Sequence, residues 1–300
     1  MDEKIRGLLE KQGYRIVGNH SAVKVCHWTK EKLMRNRACY KSKFYGIASH
    51  RCLQMTPSVA WCQHRCVFCW RPIEHTLGNQ MDFEVDEPSF IVEKAIEKQR
   101  TLLSSYWGEK IDRKLVEEAH KPRHAAISLA GEPTTYPYID ELINEFHKRS
   151  FTTFLVTNGQ NPERLERVRP TQLYLSLIAY DRELYKKINA PQLKDGWGRL
   201  NRSIDIFRNH SSKKVVRITL VRGYNLEHPE KFSKLVERAN PDYIEPKGYV
   251  HVGYSRKRLE RSHMPTFEEV YEFARVLGSE VSYKIKDYAK DSKVVLLVKA

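Results

Sequence analysis

The stretch "WCQHRCVFCW", residues 61–70, places three cysteines, Cys62, Cys66 and Cys69, within eight residues. A tetrahedral structural zinc site normally takes four protein ligands, and this stretch supplies three thiols. Three thiolates suit a 4Fe–4S cluster with one open iron, because the cluster brings its own sulfides and each cysteine reaches one iron. The stretch therefore predicts an iron–sulfur site that leaves a position for a substrate. A zinc site completed by His64 or His75 is the alternative.

Composition limits the class of protein. The chain has 300 residues, 41% of them apolar, which is enough to fill the core of one large or two small domains. Its 52 Lys and Arg residues exceed its 37 Asp and Glu residues, giving a net charge of +15. A polyanion such as nucleic acid is the natural partner, although a merely soluble basic protein is also compatible with this charge. With no leader peptide and no apolar membrane-spanning run, we expect a cytoplasmic protein without a membrane partner.

The remaining cysteines form a second, wider set. Twelve residues separate Cys26 from Cys39, and twelve more separate Cys39 from Cys52, so that all six cysteines lie in the first quarter of the chain. In a reducing cytosol such thiols are better candidates for metal or redox chemistry than for disulfides. The sequence therefore divides its thiols into two groups of three.

Helix and strand patterns follow the compact cysteine loop in regular succession. A short apolar run, "SVAWC" at residues 58–62, is typical of a strand leading into that loop. Further buried strands are predicted in "HAAISLAGEP", "FTTFLVTNG", "QLYLSLIAY", "KKVVRITLVRG" and "DYIEPKGYVHVG", with helical patterns between them. Six such units predict an α/β fold with a parallel sheet curled into a partial (β/α)6 barrel. We expect an N-terminal extension at residues 1–54, the barrel at residues 55–300, and a final tail with one short strand at most.

Polar residues follow the predicted strands, where parallel sheets usually bind ligands. Gly131 and Glu132 follow the second strand and Asn158 the third, whereas Ser176 lies on the fourth and Arg217 on the fifth. A carboxylate at Glu132 is a strong acceptor for a bound ammonium group. Asn158 and Ser176 are equally suited to capping a helix or turn.

The compact cysteine set, C-x3-C-x-aromatic-C with Phe68 at the aromatic position, resembles the cluster loop of the radical S-adenosylmethionine superfamily. The resemblance implies that Cys62, Cys66 and Cys69 hold a 4Fe–4S cluster and that S-adenosylmethionine is the cofactor. "AGEP" resembles the superfamily's Gly-Gly-Glu-Pro motif, with Ala130 in place of the first glycine. By the same resemblance Gly131 and Glu132 receive the amino group of the cofactor. We expect Asn158, Ser176 and Arg217, from their places on or after the strands, to be the other cofactor-binding residues.

The full spacing, C-x12-C-x12-C-x9-C-x3-C-x2-C, together with "AGEP", "TNG" and "IEPKGYVHVG", resembles the archaeal tRNA 4-demethylwyosine synthase family of the wybutosine pathway over essentially the whole chain. The resemblance implies a lyase that joins a two-carbon unit of pyruvate to 1-methylguanosine beside the anticodon of tRNA-Phe. It also implies a second 4Fe–4S cluster on Cys26, Cys39 and Cys52. Eukaryotic members begin with a flavodoxin-like domain that this chain does not show, so we expect an external electron donor of flavodoxin or ferredoxin type.

A lysine beside the wider cysteine set could activate pyruvate as a Schiff base. Lys41, two residues past Cys39, is the predicted catalytic residue, and Lys24 and Lys43 are also near in sequence. The alternative is that these lysines contact phosphate.

The basic segment "HVGYSRKRLERSH", residues 251–263, follows the sixth predicted strand and predicts an RNA contact, although a charge run is more often a solvated loop. Its candidate RNA-binding residues are Arg256, Lys257, Arg258 and Arg261. A base would also need aromatic stacking partners. The candidates are Trp28, Tyr40, Trp70 and Tyr249.

Two other classes of protein are alternatives. One is a different radical enzyme acting on RNA, such as a methylthiotransferase, although the short tail leaves no room for the RNA-binding barrel of those enzymes. The other is a non-catalytic, metal-stabilised RNA-binding protein, which the barrel-length series of strands disfavours.

Overall fold

The structure is a computed structural model that describes residue 1 and residues 3–108 and 111–300. The chain forms two compact units. The first unit comprises Met1–Cys62, Gln80–Val156 and Val168–Thr171, and the second comprises Gln63–Asn79, Thr157–Arg167 and Gln172–Ala300.

The first unit joins N-terminal helices to the beginning of the α/β array. Its strands are β1 (Arg15–Val17), β2 (Ser21–Val23), β3 (Cys52–Thr56), β4 (His124–Ile127) and β5 (Thr152–Thr157). Its helices are α1 (Glu3–Lys11), α2 (His27–Arg35), α3 (Tyr40–Tyr45), α4 (Pro88–Leu103), α5 (Arg113–Ala119) and α6 (Ile139–Lys148).

The sheet of the first unit is parallel where the sequence predicted it to be. β3, β4 and β5 are neighbours and run in the same direction, so that Gln54 is paired with Ala126 and Ala126 with Phe154. β1 and β2 form an antiparallel pair that continues the sheet beyond β3. These two strands were not predicted, because each is only three residues long.

The helices between these strands bury one face each. α4 begins with Pro88 at its first turn, where the missing N–H is no loss. α6 buries apolar residues at helical spacing: Ile139, Leu142, Ile143 and Phe146. Each such side chain contributes roughly 1.5–3 kcal/mol when fully buried, which fixes these helices on the sheet.

The second unit continues the α/β pattern. Its strands are β6 (Gln172–Ser176), β7 (Lys213–Leu220), β8 (Tyr243–Gly248), β9 (Tyr283–Ala289) and β10 (Val294–Lys299). Its helices are α7 (Pro162–Leu165), α8 (Arg182–Asn189), α9 (Gly196–Arg208), α10 (Ser233–Ala239) and α11 (Phe267–Glu280). β6, β7 and β8 are parallel neighbours, which confirms the predicted βα succession in this unit.

The prediction for the C-terminal tail was wrong. The tail forms two strands, β9 and β10, which pair antiparallel, and β10 also pairs antiparallel with β8. The polar-apolar pattern of β9 exposes every second side chain, as expected for an edge strand with one solvated face. The strand was not predicted because the charged residues of its solvated face interrupt the apolar run.

The first parallel strand is also earlier than predicted. It is β3, which ends at Thr56, and residues 58–62 form a turn instead of a strand. Pro57 ends the strand because proline has no N–H for the sheet ladder. The Thr56 hydroxyl then donates to the Ala130 carbonyl at 2.6 Å, which fixes the chain as it leaves the sheet.

No helix in residues 3–108 or 111–300 is both long and apolar enough to cross a membrane.

Candidate functional site

Three cysteines of the first unit lie at the starts of three secondary-structure elements. Cys26 precedes α2, Cys39 precedes α3, and Cys52 opens β3. Lys41 lies in the first turn of α3. Burial raises the pKa of the Cys26 and Cys52 thiols, the charge of Lys41 offsets part of this rise for both, and Cys26 and Cys39 add to it for Cys52. These mutual effects place Cys26, Cys39, Cys52 and Lys41 in the same region of the first unit, although no three of the described ligand-type side chains are grouped closely enough to ligate one metal ion.

Burial dominates the acidity of these thiols. It raises the pKa of Cys52 and of Cys26 above the ordinary value for a thiol, because a thiolate in this environment loses its hydration. For Cys26 the effect is partly offset by the backbone N–H groups of Trp28 and Thr29, at the positive end of α2. Because burial disfavours the bare thiolates, a bound cation would favour their ionisation, which is compatible with an iron–sulfur cluster.

Buried hydrogen bonds hold the backbone of this cysteine site. Ser49 accepts from the Cys39 N–H at 3.4 Å through its hydroxyl, and its carbonyl accepts from the Thr29 hydroxyl at 3.0 Å. The Gln99 amide donates to the Cys52 carbonyl at 3.0 Å. Ser49 therefore links α2 to the start of α3, which orders the segments that carry Cys26 and Cys39.

Lys41 is the lysine that the structure places with the thiols. Its Nζ lies 4.4 Å from the centre of the Phe154 ring. Phe154 lies on β5 and is paired with Ala126 of β4. The Ala126 N–H is in turn a hydrogen-bond partner of the Cys52 thiol. Lys24 lies instead over the Tyr14 ring, at 4.9 Å from its centre. Lys41 and Cys52 therefore contact neighbouring residues of the sheet, Phe154 and Ala126.

The "AGEP" turn is packed against the residues that precede Cys62. The Glu132 N–H donates to the Trp61 carbonyl at 2.8 Å, and the Ser58 hydroxyl donates to the Glu132 carbonyl at 2.7 Å. The Glu132 side chain is buried and accepts from the backbone N–H and the hydroxyl of Thr134, at 3.1 and 2.6 Å. Its carboxylate is therefore held in a defined orientation, as a binding group needs to be.

In the second unit, Cys66 and Cys69 belong to a tight turn beside the end of α8. The Cys69 N–H donates to the Cys66 carbonyl at 3.0 Å, and the Val67 N–H donates to the Ile188 carbonyl at 3.0 Å. The Asn189 amide lies 3.6 Å from the Cys66 sulfur and donates to it. Hydrogen bonds to cysteine sulfur are one way in which proteins tune an iron–sulfur cluster.

Arg217 forms an ion pair inside the second unit. Its Nη2 and Nε donate to the Glu245 carboxylate at 2.6 and 3.1 Å, and its guanidinium lies 4.5 Å from the centre of the Tyr174 ring. Glu245 is fully buried. Ser176 ends β6 and is paired with Arg217 in the sheet register. These two predicted cofactor residues are therefore neighbours, and Arg217 is already engaged by a carboxylate.

Asn158 follows β5 and stabilises its own loop. Its side-chain oxygen accepts from the Gln160 N–H at 3.0 Å, and its amide donates to Gln63 at 3.5 Å. Both contacts are local to the second unit, so turn formation and cofactor binding are compatible roles for this residue.

The four predicted RNA-binding residues separate into two environments. Arg256, Lys257 and Arg261 have exposed side chains. Arg258 is 17% exposed and donates to carbonyl groups of the cysteine loop and to Glu74. Arg258 is thus already bound to protein, whereas the other three face solvent.

The aromatic candidates separate in the same way. Tyr40 and Tyr249 are buried, and the Tyr249 hydroxyl donates to the Ser255 hydroxyl at 2.8 Å. Trp28 and Trp70 are half-exposed. The centre of the Trp28 ring lies 5.3 Å from that of the His27 ring and 5.7 Å from the Arg37 guanidinium carbon, so Trp28 and Trp70 are distinguished from the other two candidates by their exposure alone.

In the described part of the chain, no three His, Cys, Asp or Glu side chains are close enough together to ligate one metal ion. A cluster spreads its thiolates over separate iron atoms, so it tolerates wider spacing than zinc does. His64 is buried, burial lowers its pKa to about 3, and its Nε2 is 2.7 Å from the Tyr185 hydroxyl.

Two family models match adjoining parts of the chain that begin after the N-terminal 55 residues. The radical SAM superfamily model matches residues 56–236, and the model described as wyosine base formation matches residues 238–299. The S-adenosyl-L-methionine-dependent tRNA 4-demethylwyosine synthase of Pyrococcus abyssi (strain GE5 / Orsay) is 51% identical over 306 residues, covering 100% of this chain and 90% of that protein. The chain belongs to the tRNA 4-demethylwyosine synthase family.

Other members of the tRNA 4-demethylwyosine synthase family agree. The enzyme of that name from Methanocaldococcus jannaschii is 44% identical, covering 98% of this chain and 96% of that protein. A solved structure described as TYW1 with a lysine-pyruvate adduct bound is 42% identical, with a TM-score of 0.92, and covers 100% of this chain and 96% of that one. A crystal structure of archaeal TYW1 is 38% identical with a TM-score of 0.84, at the same coverage of both chains.

Membership in the 4-demethylwyosine synthase family confirms the predicted fold class, an α/β partial barrel of the radical SAM type. It also decides between the alternatives. The model described as wyosine base formation matches residues 238–299, which argues against both a methylthiotransferase and a non-catalytic RNA-binding protein. The chain is a radical SAM enzyme.

Several contacts at the site had no signal in the sequence. Asn189 reaches Cys66, and Glu245 reaches Arg217, only because α8 and β8 fold onto distant segments. The sequence separation of Asn189 and Cys66 is 123 residues. Pairings of this kind follow from tertiary structure and not from any local pattern.

Proposed function

We propose that this chain forms 4-demethylwyosine in tRNA-Phe, by joining a two-carbon unit of pyruvate to 1-methylguanosine beside the anticodon. The observation that carries the proposal is the position of Lys41 in the first turn of the helix that Cys39 precedes, with its Nζ 4.4 Å from the centre of the Phe154 ring and with Cys26 and Cys52 in the same region. This arrangement occurs in a chain that is 42% identical to a TYW1 whose structure holds a lysine-pyruvate adduct.

Two 4Fe–4S clusters and S-adenosylmethionine are the proposed cofactors. Cys62, Cys66 and Cys69 would hold one cluster, and Cys26, Cys39 and Cys52 the other, with three thiols for each. When bound, the first cluster and S-adenosylmethionine supply a 5′-deoxyadenosyl radical that removes hydrogen from the methyl group of the modified guanosine. In terms of domains, residues 1–54 would supply the second cluster's ligands and residues 55–300 the radical SAM barrel.

Glu132 is proposed to receive the amino group of the cofactor. Its carboxylate is buried and oriented by two hydrogen bonds from Thr134, so it is set to accept from an ammonium without further rearrangement. Gly131 permits the close packing that places it there. Asn158, Ser176 and Arg217 are proposed to serve the rest of the cofactor.

Lys41 is proposed to bind pyruvate covalently. Its neutral amine would attack the keto carbon, and loss of water would give a carbon–nitrogen double bond in place of the carbonyl. The Phe154 ring, 4.4 Å from the Lys41 Nζ, provides an apolar surface beside the adduct. The methylene radical of the base would then bond to the former keto carbon, and the bond from that carbon to the carboxylate would break, so that the carboxylate leaves as the carbon dioxide radical anion with the unpaired electron. The exocyclic amino group of the guanine would displace the Lys41 nitrogen from the same carbon and close the ring.

The remaining partners are also proposals. Arg256, Lys257 and Arg261 present positive charge to solvent and would contact the phosphates of the tRNA. Trp28 and Trp70 would offer ring faces to the exposed base. An external donor of flavodoxin or ferredoxin type would supply electrons in the cytoplasm.

An anaerobic assay tests the proposal. Reconstituted protein is mixed with dithionite, S-adenosylmethionine, pyruvate and tRNA-Phe that contains 1-methylguanosine, and nucleosides and 5′-deoxyadenosine are quantified together. We expect a tricyclic nucleoside that appears only when pyruvate is present. If 5′-deoxyadenosine forms without that nucleoside, the enzyme performs radical chemistry but the proposed substrates are wrong. If neither product forms, the proposed function is wrong.

A further inference from the structure

Arg258 binds the backbone of the loop that carries Cys66 and Cys69. Its Nε donates to the Val67 carbonyl at 3.2 Å, and its Nη2 donates to the carbonyls of Cys69 and, at 3.4 Å, Arg71. Its Nη1 donates to the Glu74 carboxylate at 2.8 Å. Three backbone carbonyls and one carboxylate thus engage a single guanidinium.

The turn that carries Arg258 is itself packed tightly on this loop. The Tyr254 N–H donates to the Trp70 carbonyl at 2.9 Å. Gly253 has a φ of +59°, and a Cβ atom there would lie 2.4 Å from the same carbonyl oxygen. Backbone approach this close leaves the Arg258 side chain little freedom to leave the loop for a solvent partner.

We propose that Arg258 is a positioning residue for the reaction, which fixes the Cys66–Cys69 turn and places a permanent positive charge beside these ligands. The inference rests on the proposed function, since it assumes a cluster on Cys62, Cys66 and Cys69. A guanidinium stays protonated at every relevant pH and presents donors in a rigid fork. The fork fixes the loop, and the charge stabilises the reduced cluster, which carries one more electron.

The neighbouring basic residues show that this role is particular to Arg258. Arg256 and Lys257 lie on the same short turn, at Gly253–Lys257, with exposed side chains. Lys257 lies over the Tyr254 ring, with Nζ 4.7 Å from its centre. A single basic segment therefore supplies both solvent-facing charges and a residue that holds the cysteine loop.

The first test is hydrogen exchange on the full-length protein without clusters. Arg258→Met should accelerate amide exchange in residues 66–74 by about tenfold or more, because the loop loses its carbonyl partners. Arg238→Met is the matched control, since Arg238 makes the same kind of forked contact with Asp205 elsewhere in the second unit. It should leave exchange in residues 66–74 unchanged. Arg258→Lys keeps the charge without the fork and should also accelerate exchange.

The second test is a redox titration followed by electron paramagnetic resonance. Cys26, Cys39 and Cys52 are replaced by alanine, so that one cluster contributes the signal. At a fixed solution potential, Arg258→Met should lower the ratio of reduced to oxidised cluster about tenfold, equivalent to about 59 mV for one electron. Arg258→Lys should restore most of the ratio, and Arg256→Met should leave it unchanged.

Wild-type exchange and wild-type potential in Arg258→Met, together with weaker tRNA binding, would overturn the inference and make Arg258 an RNA contact. Iron missing from the Cys26, Cys39 and Cys52 triple variant would overturn the proposed cluster, and with it the redox role of Arg258. Because the exchange experiment needs no iron, it decides independently whether Arg258 fixes the loop. Circular dichroism of each variant confirms that the comparison is made between folded proteins.

Discussion

The Ser58 carbonyl oxygen lies 1.8 Å from the position that a Cβ atom on Gly131 would occupy. Gly131 also has a φ of +68°, in the left-handed region that residues with a Cβ rarely adopt. The position therefore requires glycine for two reasons at once. The close approach brings Glu132 against the turn that leads to Cys62.

Gly131→Ala should destabilise the protein by at least about 2 kcal/mol, because the new methyl group displaces the Ser58 carbonyl and the backbone is strained. It should also weaken S-adenosylmethionine binding by moving Glu132. Gly198→Ala, in a helix position with open space around it, is the control and should be neutral or slightly stabilising. Urea unfolding and equilibrium dialysis measure both effects, and equal behaviour of the two variants would contradict this account of Gly131.

Glu245→Leu should destabilise the second unit, because it leaves the Arg217 guanidinium, 16% exposed, without its buried partner. We expect a loss of about 2–4 kcal/mol in the free energy of unfolding. The double variant Glu245→Leu with Arg217→Met should recover most of that loss, since neither charge is then left alone. Urea titration provides the values, and full additivity of the two substitutions would show that the pair is not coupled.

Lys41→Ala should abolish pyruvate trapping. Wild-type protein treated with pyruvate and borohydride should gain the mass of one reduced pyruvate adduct on the peptide that contains Lys41. Lys43→Ala, on the exposed side of the same helix, should trap pyruvate normally. Normal turnover by Lys41→Ala, or an adduct on another lysine, would reject the assignment.

His124 should make the folded protein sensitive to acid. Its Nε2 accepts from the Ala48 N–H at 3.2 Å, so the ring is held neutral, and burial, Arg51 and His50 lower its pKa to about 4. Between about pH 6.5 and 4 the unfolded chain binds a proton here that the folded chain does not, so stability falls as the pH falls. The loss is about 1–2 kcal/mol after allowance for partial exposure.

His124→Gln should flatten this dependence, because glutamine does not titrate. Urea unfolding of metal-free protein between pH 7.5 and 4.5 measures the two slopes. Parallel slopes for wild type and His124→Gln would show that other groups cause the acid sensitivity.

Replacing each cysteine set by alanine should separate the cleavage of S-adenosylmethionine from the formation of the tricyclic nucleoside. The triple alanine variant at Cys26, Cys39 and Cys52 should bind about half of the wild-type iron, since each set is proposed to hold one cluster. It should still cleave S-adenosylmethionine but form no tricyclic nucleoside. The triple variant at Cys62, Cys66 and Cys69 should lose cleavage altogether. Cleavage of S-adenosylmethionine by this second variant would show that Cys62, Cys66 and Cys69 do not hold the cluster that cleaves it.

Much of the fold could be predicted from sequence because it depends on local pattern. The periodicity of residues 88–103 predicted α4, and the apolar runs predicted β4 to β8, with the exception of some ends. β1 and β2 were missed because three-residue strands carry almost no pattern. β9 was missed because an edge strand with a charged face is not an apolar run.

The candidate site likewise has features that local sequence can indicate and features that only tertiary structure reveals. The two sets of cysteine ligands stay a prediction from spacing, since metal ligands are recognised by residue type and separation. The contacts of Arg258 with the cysteine loop could not be predicted, because the four basic residues of this segment are equivalent by sequence alone. Its partners are more than 180 residues away in sequence.

Isotope incorporation tests the central claim most directly. The enzyme is supplied with pyruvate labelled with carbon-13 at its keto and methyl carbons, together with S-adenosylmethionine, reductant and tRNA-Phe containing 1-methylguanosine. We predict a tricyclic nucleoside heavier by two mass units than the product from unlabelled pyruvate, since both labelled carbons enter the new ring. An unlabelled product, or only the starting nucleoside from protein that cleaves S-adenosylmethionine, would contradict the account.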